Sequence, residues 1–196
     1  RGGIPRPLVA VLAGVLLLGA AGIAAVLLFG GDDEEDEPAG QRGGLVVQGP
    51  PSLRVAALAA GCTAQDLPPE GRTHVEGPVQ YRSNPPNSGD HDATAAADGA
   101  YERSPPVPRL VHSLEHGRIV MWHKPGNAEA RKLLLKVGDE DGQHMILVPN
   151  TTNMPYEVAA TAWGHLLGCT KVDEETADAV RAFRDAYRDK GPEFVP

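Results

Sequence analysis

The sequence has only two cysteines, Cys62 and Cys169, too far apart in the chain to form a C-x-x-C redox pair. It has no basic stripe: 18 Lys and Arg stand against 26 Asp and Glu, a net charge of −8, which argues against nucleic acid as a partner. It has no internal repeat, which excludes a solenoid. No serine sits in a G-x-S-x-G elbow. Ser88 and Ser113 lie near histidines in sequence, but without that turn a nucleophilic triad has little support.

What is present begins with one long apolar run. Residues 8–29 carry no charge and are built of Leu, Val, Ala, Gly, Ile and Phe, long enough at helical rise to cross a bilayer core. Arg1 and Arg6 precede the run and Asp32 to Glu37 follow it. The positive-inside rule therefore places residues 1–7 in the cytoplasm and the rest outside, as a single-pass protein of the cell membrane. Arg1 is not a natural start, so further residues are expected before it. The apolar core is too long for a cleaved signal peptide. No cysteine follows it, which argues against a lipoprotein. Gly14, Gly19 and Gly22 offer a surface for a helix of a membrane partner. Residues 30–51, acidic and rich in Gly and Pro, read as a solvated linker.

Residues 52–196 are then one extracytoplasmic domain. Ser52 is expected to cap a helix over 53–60 that Gly61 stops. In an oxidising compartment Cys62 and Cys169 most simply form one disulfide, worth about 4–5 kcal/mol in the chain-entropy model; ligation of a metal by cysteine is the alternative. Residues 67–108 form a long loop rich in turn residues. Arg118 to His123 reads as a buried strand. Asn127 caps a helix to about Val137, stopped by Gly138. His144 to Val148 and Glu157 to Trp163 read as two strands, antiparallel to each other. Asp173 caps a last helix with Val180, Phe183 and Tyr187 on one face. The fold class is α+β: a small mixed sheet with a β-α-β-β-α C-terminal order, as in the C-terminal half of a thioredoxin-like fold.

The chemistry concentrates at Val111 to His123. His112 and His116, four apart, share a face on either a helix or a strand, with Glu115 between them. H-x-x-E-H matches the inverted zincin peptidases, where two histidines bind zinc and the glutamate activates water. Pro105, Pro106, Pro108 and Gly117 leave only about eight residues for that helix, and the domain is small for a peptidase cleft. The other reading is a binding site. His91 is held by the Pro85-Pro86 and Asn87-Ser88-Gly89 turn, His74 is a further candidate, and Met154 in N-M-P offers a thioether. Imidazole and thioether together suit copper first and zinc second. Glu115 points away from the histidine pair if this stretch is extended and lies closer if it is helical. Met121, His123, His144 and His165 read as structural.

Four motifs in order carry a resemblance: A-G-C-T at Ala60–Thr63, N-P-P-N-S-G-D-H at Asn84–His91, H-S-L-E-H-G at His112–Gly117 and A-W-G at Ala162–Gly164. Together they resemble the domain of unknown function 3105 family, membrane-anchored extracytoplasmic proteins of actinobacteria and their relatives, over about residues 52–196. The resemblance implies a related fold and no established activity. Two positions depart from the family's tendency to carry an aromatic: Asp92 and His123, which alter the wall of a site or add a ligand. The expectation is a membrane-anchored metal binder, with a zinc-dependent hydrolase and a metal-free scaffold of a membrane complex as the alternatives.

Overall fold

The strand Ile119–His123 (β3) lies inside the sheet, and all five of its residues are buried. Alternate side chains serve two cores. Ile119 and Met121 enter one, and Val120 and Trp122 the other. A strand buried on both faces must be covered on both, and the rest of the chain does this. The structure is a computed structural model that describes residues 44–193 and 195. The apolar run 8–29, and with it the expected membrane anchor, lies outside the described residues. Among the described residues no helix is long and apolar enough to cross a membrane.

In chain order the further elements are helix Pro51–Ala60 (α1), strands Thr63–Asp66 (β1) and Gly99–Ala100 (β2), and helix Val107–Glu115 (α2). After β3 come helix Ala128–Glu140 (α3), strands Met145–Pro149 (β4), Val158–Ala162 (β5) and His165–Cys169 (β6), and helix Glu174–Tyr187 (α4). The fold is mixed α+β, with one six-stranded sheet ordered β1-β6-β5-β3-β4-β2 among the described residues. β3 pairs in parallel with β4, which pairs in parallel with β2. β5 is antiparallel to β3 and to β6, and β6 to β1. One core lies between the sheet and α1, α3 and α4, through Leu53, Leu134, Val137, Val180 and Phe183. The other lies under α2, where Leu110, Val111 and Leu114 meet Val120, Trp122, Ile146 and Val148. Trp122 donates its indole N–H to Thr161 Oγ1 at 2.9 Å, which satisfies a polar pair that burial would otherwise penalise.

Several expectations are corrected. The C-terminal half runs strand, helix, strand, strand, strand, helix. β6 follows β5 through the two-residue turn Trp163-Gly164, with Ala162 opposite His165 and Gly164 at φ 80°. β5 pairs with β3 and β6 rather than with β4. Gly138 does not stop α3, which runs on to Glu140. α1 begins at Pro51 with Pro50 in the capping position and no side-chain cap, so Ser52 lies inside the helix. The folded region also starts before Ser52: Val47 is buried and pairs with Ala64, inside the stretch read as linker. Gly61 at φ 67° ends α1, Asn127 and Asp173 cap α3 and α4, and Cys62 is bridged to Cys169, as expected.

Candidate metal centre

Two segments bring the site together. The first is α2. Pro108 sits in its first turn, where a missing N–H costs nothing. Its Leu110, Val111 and Leu114 face the sheet, which turns His112 and Glu115, three apart, toward the long loop. Helix is therefore the conformation of the H-S-L-E-H stretch, and Glu115 lies close to the histidines. His116 ends the helix and Gly117 follows at φ 80°. A Cβ on Gly117 would stand 2.9 Å from Asp189 Cα, so glycine is required by conformation and by space.

The second segment is the loop between β1 and β2. Its turn is buried while the rest of the loop is not: Asn87, Ser88 and His91 are all at most 1% exposed. Gly164 donates to the Asn87 carbonyl at 2.9 Å. Tyr81 donates its hydroxyl to the Asp90 carbonyl at 2.9 Å, and burial holds that phenol protonated, its pKa raised. His91 N–H donates to the Thr73 carbonyl and Val75 N–H to the His91 carbonyl, which aligns His74 beside His91 in a short parallel bridge.

The two buried histidines of the site, His91 and His112, have their tautomers set by backbone carbonyls. His91 Nδ1 donates to the Gly89 carbonyl at 2.8 Å, and His112 Nδ1 to the Asp92 carbonyl at 2.7 Å. Each ring keeps its Nε2 for a partner other than the backbone, the arrangement by which carbonyls behind an imidazole aim it at a metal. His91 Nε2 has no hydrogen-bond partner, yet it lies 2.9 Å from Glu115 Oε2. Two acceptors repel at that distance unless a proton or a cation lies between them. The other oxygen of Glu115 accepts from Arg72 Nε at 2.6 Å. The rings of His74, His91 and His112 stand 4.8 to 5.0 Å apart.

Donor atoms of His74, His91, His112 and Glu115 all fall within 4.8 Å of one another; His74 is exposed and the other three are buried. Four donors around a zinc ion at about 2.0–2.1 Å sit about 3.3 Å apart, so the widest pair has to close by at most about 1.5 Å. Exposed His74 is the member free to make that movement. A second group, His112, His116 and Glu193, meets the same limit. Here His112 Nε2 and His116 Nε2 are 2.9 Å apart, and Glu193 Oε2 is 3.5 Å from His116 Nε2. Burial first, then the neighbouring His112, lowers the pKa of His116 and favours its neutral, lone-pair form.

Of the residues expected at the site, His74, His91 and His112 come together in the first group and His116 joins His112 in the second. Met154 lies elsewhere, in the apolar cluster on the α2 side of the sheet. It is buried with Trp122 and Trp163 under α2, with its backbone N–H held by Asn150 Oδ1. His123 is outside both groups, its Nδ1 donating to the Lys124 carbonyl, and Asp92 serves His112 through its carbonyl rather than its side chain. Glu115 as a ligand, Arg72 and Glu193 were not expected. Only Glu115 had a signal, its three-residue spacing from His112 on a helix.

A family model described as "Protein of unknown function (DUF3105)" matches residues 74–195, well over half of the chain. The chain belongs to the DUF3105 family. The DUF3105 match begins at His74 and takes in every residue of both candidate metal groups, while α1, β1 and Cys62 lie before it. No curated protein and no solved structure matches this DUF3105 chain.

Proposed function

We propose that this DUF3105 protein holds one divalent transition-metal ion at His74, His91, His112 and Glu115, in an extracytoplasmic domain tethered by the apolar run 8–29. The observation that carries the reading is the contact between His91 Nε2 and Glu115 Oε2. His91 Nε2 and Glu115 Oε2, both buried, face each other at 2.9 Å while Nδ1 of the ring donates to the Gly89 carbonyl, so a proton or a cation has to lie between them. A cation between them removes the repulsion and uses both donors.

Three imidazoles and a carboxylate suit copper(II) and zinc(II), and the general affinity order puts copper first. The thioether of Met154 adds little support for copper(I), because that side chain is packed in the apolar core under α2. The hydrolase reading is weakened by Glu115 itself. A general base must be free to take a proton from water, whereas this carboxylate is held by Arg72 and grouped with the histidines. The order β4-β3-β5-β6, with α3 between β3 and β4 and α4 after β6, supports a thioredoxin-like core serving here as a scaffold for a metal without a redox dithiol. The physiological role that fits is metal handling at the cell envelope, as an accessory to a membrane complex.

The test is elemental analysis of the purified chain, followed by titration with copper(II) and zinc(II). One equivalent of ion is expected. His112→Ala should abolish binding with the circular dichroism spectrum retained, and Met154→Leu should leave both affinities unchanged. If neither ion binds the wild-type chain above background, the protein is a metal-free scaffold and its histidines hold the loop against α2.

A further inference from the structure

His112 has one donor to give and two groups that need it. Its Nδ1 is committed to the Asp92 carbonyl, so Nε2 is the only atom it offers to either set. The two groups therefore cannot both be filled. They also differ in depth. The side chains of His91 and Glu115 are 0% and 3% exposed, whereas those of His116 and Glu193 are 15% and 48% exposed.

Glu193 is held in place by the chain around it. Its backbone N–H donates to the Glu115 carbonyl at 3.1 Å, and Asp189 N–H donates to the Gly117 carbonyl at 2.9 Å. Gly191 lies so close to the end of α2 that a Cβ there would stand 2.2 Å from the Glu115 oxygen. The segment after α4 is thus docked on the C-terminal end of α2, and it delivers one carboxylate to the outer side of His116. Arg118, which donates to the His116 carbonyl, faces Asp98 at 3.5 Å, so its charge is partly offset. On the inner side the guanidinium of Arg72 stands against Glu115 and opposes the approach of a cation past it.

We propose that His112, His116 and Glu193 form an outer loading site from which the ion passes to the inner set, with His112 Nε2 bound throughout. This rests on the reading of the inner set as the resting metal site. In the transfer, the bonds from the ion to His116 and Glu193 break as bonds to His91, Glu115 and His74 form. Any proton held between His91 and Glu115 leaves to water, and the ion keeps its charge and oxidation state. His112 is the pivot, and the outer pair speeds passage in both directions without altering the final affinity.

The experiment follows cobalt(II) uptake by its ligand-field absorption in stopped flow, and its removal by excess chelator, using the full chain. The wild type is compared with Glu193→Gln and His116→Ala. Both variants should slow uptake and removal by about tenfold, the low end of what outer partners of a metal site contribute, while the equilibrium affinity and the final spectrum match wild type. Unchanged rates at unchanged affinity would overturn the loading site and leave the inner site standing. A changed final spectrum with lost affinity in His116→Ala would also overturn it, by making His116 a ligand of the resting site. No cobalt uptake by the wild type would reject the inner site and the loading site together. Glu193 is exposed, so its variant keeps the test readable if His116→Ala does not fold.

Discussion

The chemistry at Glu115 predicts that stability and metal affinity move independently. In Glu115→Gln the amide oxygen can still accept from Arg72 while the amide N–H₂ donates to His91 Nε2, which removes the facing acceptors. The metal-free variant should melt no lower than wild type, yet its zinc affinity should fall by at least about tenfold, the least that losing a partner behind a ligand costs. Thermal melts in chelator, set beside zinc titrations, check both halves; a clear loss of metal-free stability would show that the contact is an ordinary charge pair. His123 gives a separate pH prediction. Burial lowers its pKa, with Arg131 adding to the effect, although its bond to the Lys124 carbonyl pulls the other way. The unfolded chain therefore binds a proton at His123 more readily than the folded one. Its contribution to stability is intact above the ordinary value of about 6.5 and is lost as pH falls from there toward the lowered folded value. His123→Phe should flatten the fall in urea midpoint between about pH 7.5 and about pH 5.5; an unchanged slope would place the acid sensitivity elsewhere.

At the scale of elements, the segment after α4 is as much a part of the site as α2. Gly191→Ala would drive a methyl into the backbone at the end of α2, with no flexible side chain able to yield. We expect a loss of about 1–3 kcal/mol in urea unfolding, together with the slower metal uptake of Glu193→Gln. Normal stability in this variant would show that the segment does not dock as described. The elements that were legible from sequence are those whose local signals agree: the polar caps of α3 and α4, the short continuous apolar run of β3, and Gly61 after α1. β1, β2 and β6 were not. β2 is a two-residue strand, too short for any pattern, and β1 is a half-polar edge strand. H-L-L-G-C in β6 carries no strict alternation, and only the two-residue turn before it marks a hairpin. Gly138 misleads because tertiary packing overrides propensity there: α3 continues because it lies on the sheet, near enough that a Cβ on Gly138 would meet Met121 Cε at 3.7 Å. At the site, the paired histidines and the buried loop histidine were legible from spacing and turn chemistry. Glu193 was not, since nothing local ties a residue so near the C-terminus to His116.

At the scale of the whole molecule, the Cys62–Cys169 bridge joins the end of α1 to the end of β6 across 107 residues. Replacing both cysteines with serine should cost about 4–5 kcal/mol in the chain-entropy model, read as a lowered urea midpoint; no change would mean that the unfolded chain is already confined. The same bridge bears on topology, because it needs an oxidising compartment. A reporter fused after Pro196 should be active only outside the cytoplasm, and cytoplasmic activity would contradict the proposed tether. The bridge also turns the middle of the chain into a closed ring. His74, His91, His112 and Glu115 all lie between its two anchor points, on segments remote from one another in sequence. A protease that nicks the long loop once therefore opens the ring without releasing either piece. The cut protein should run as one band without reductant and as two with it, and the nicked form should still carry all four ligands of the inner site on one covalent molecule.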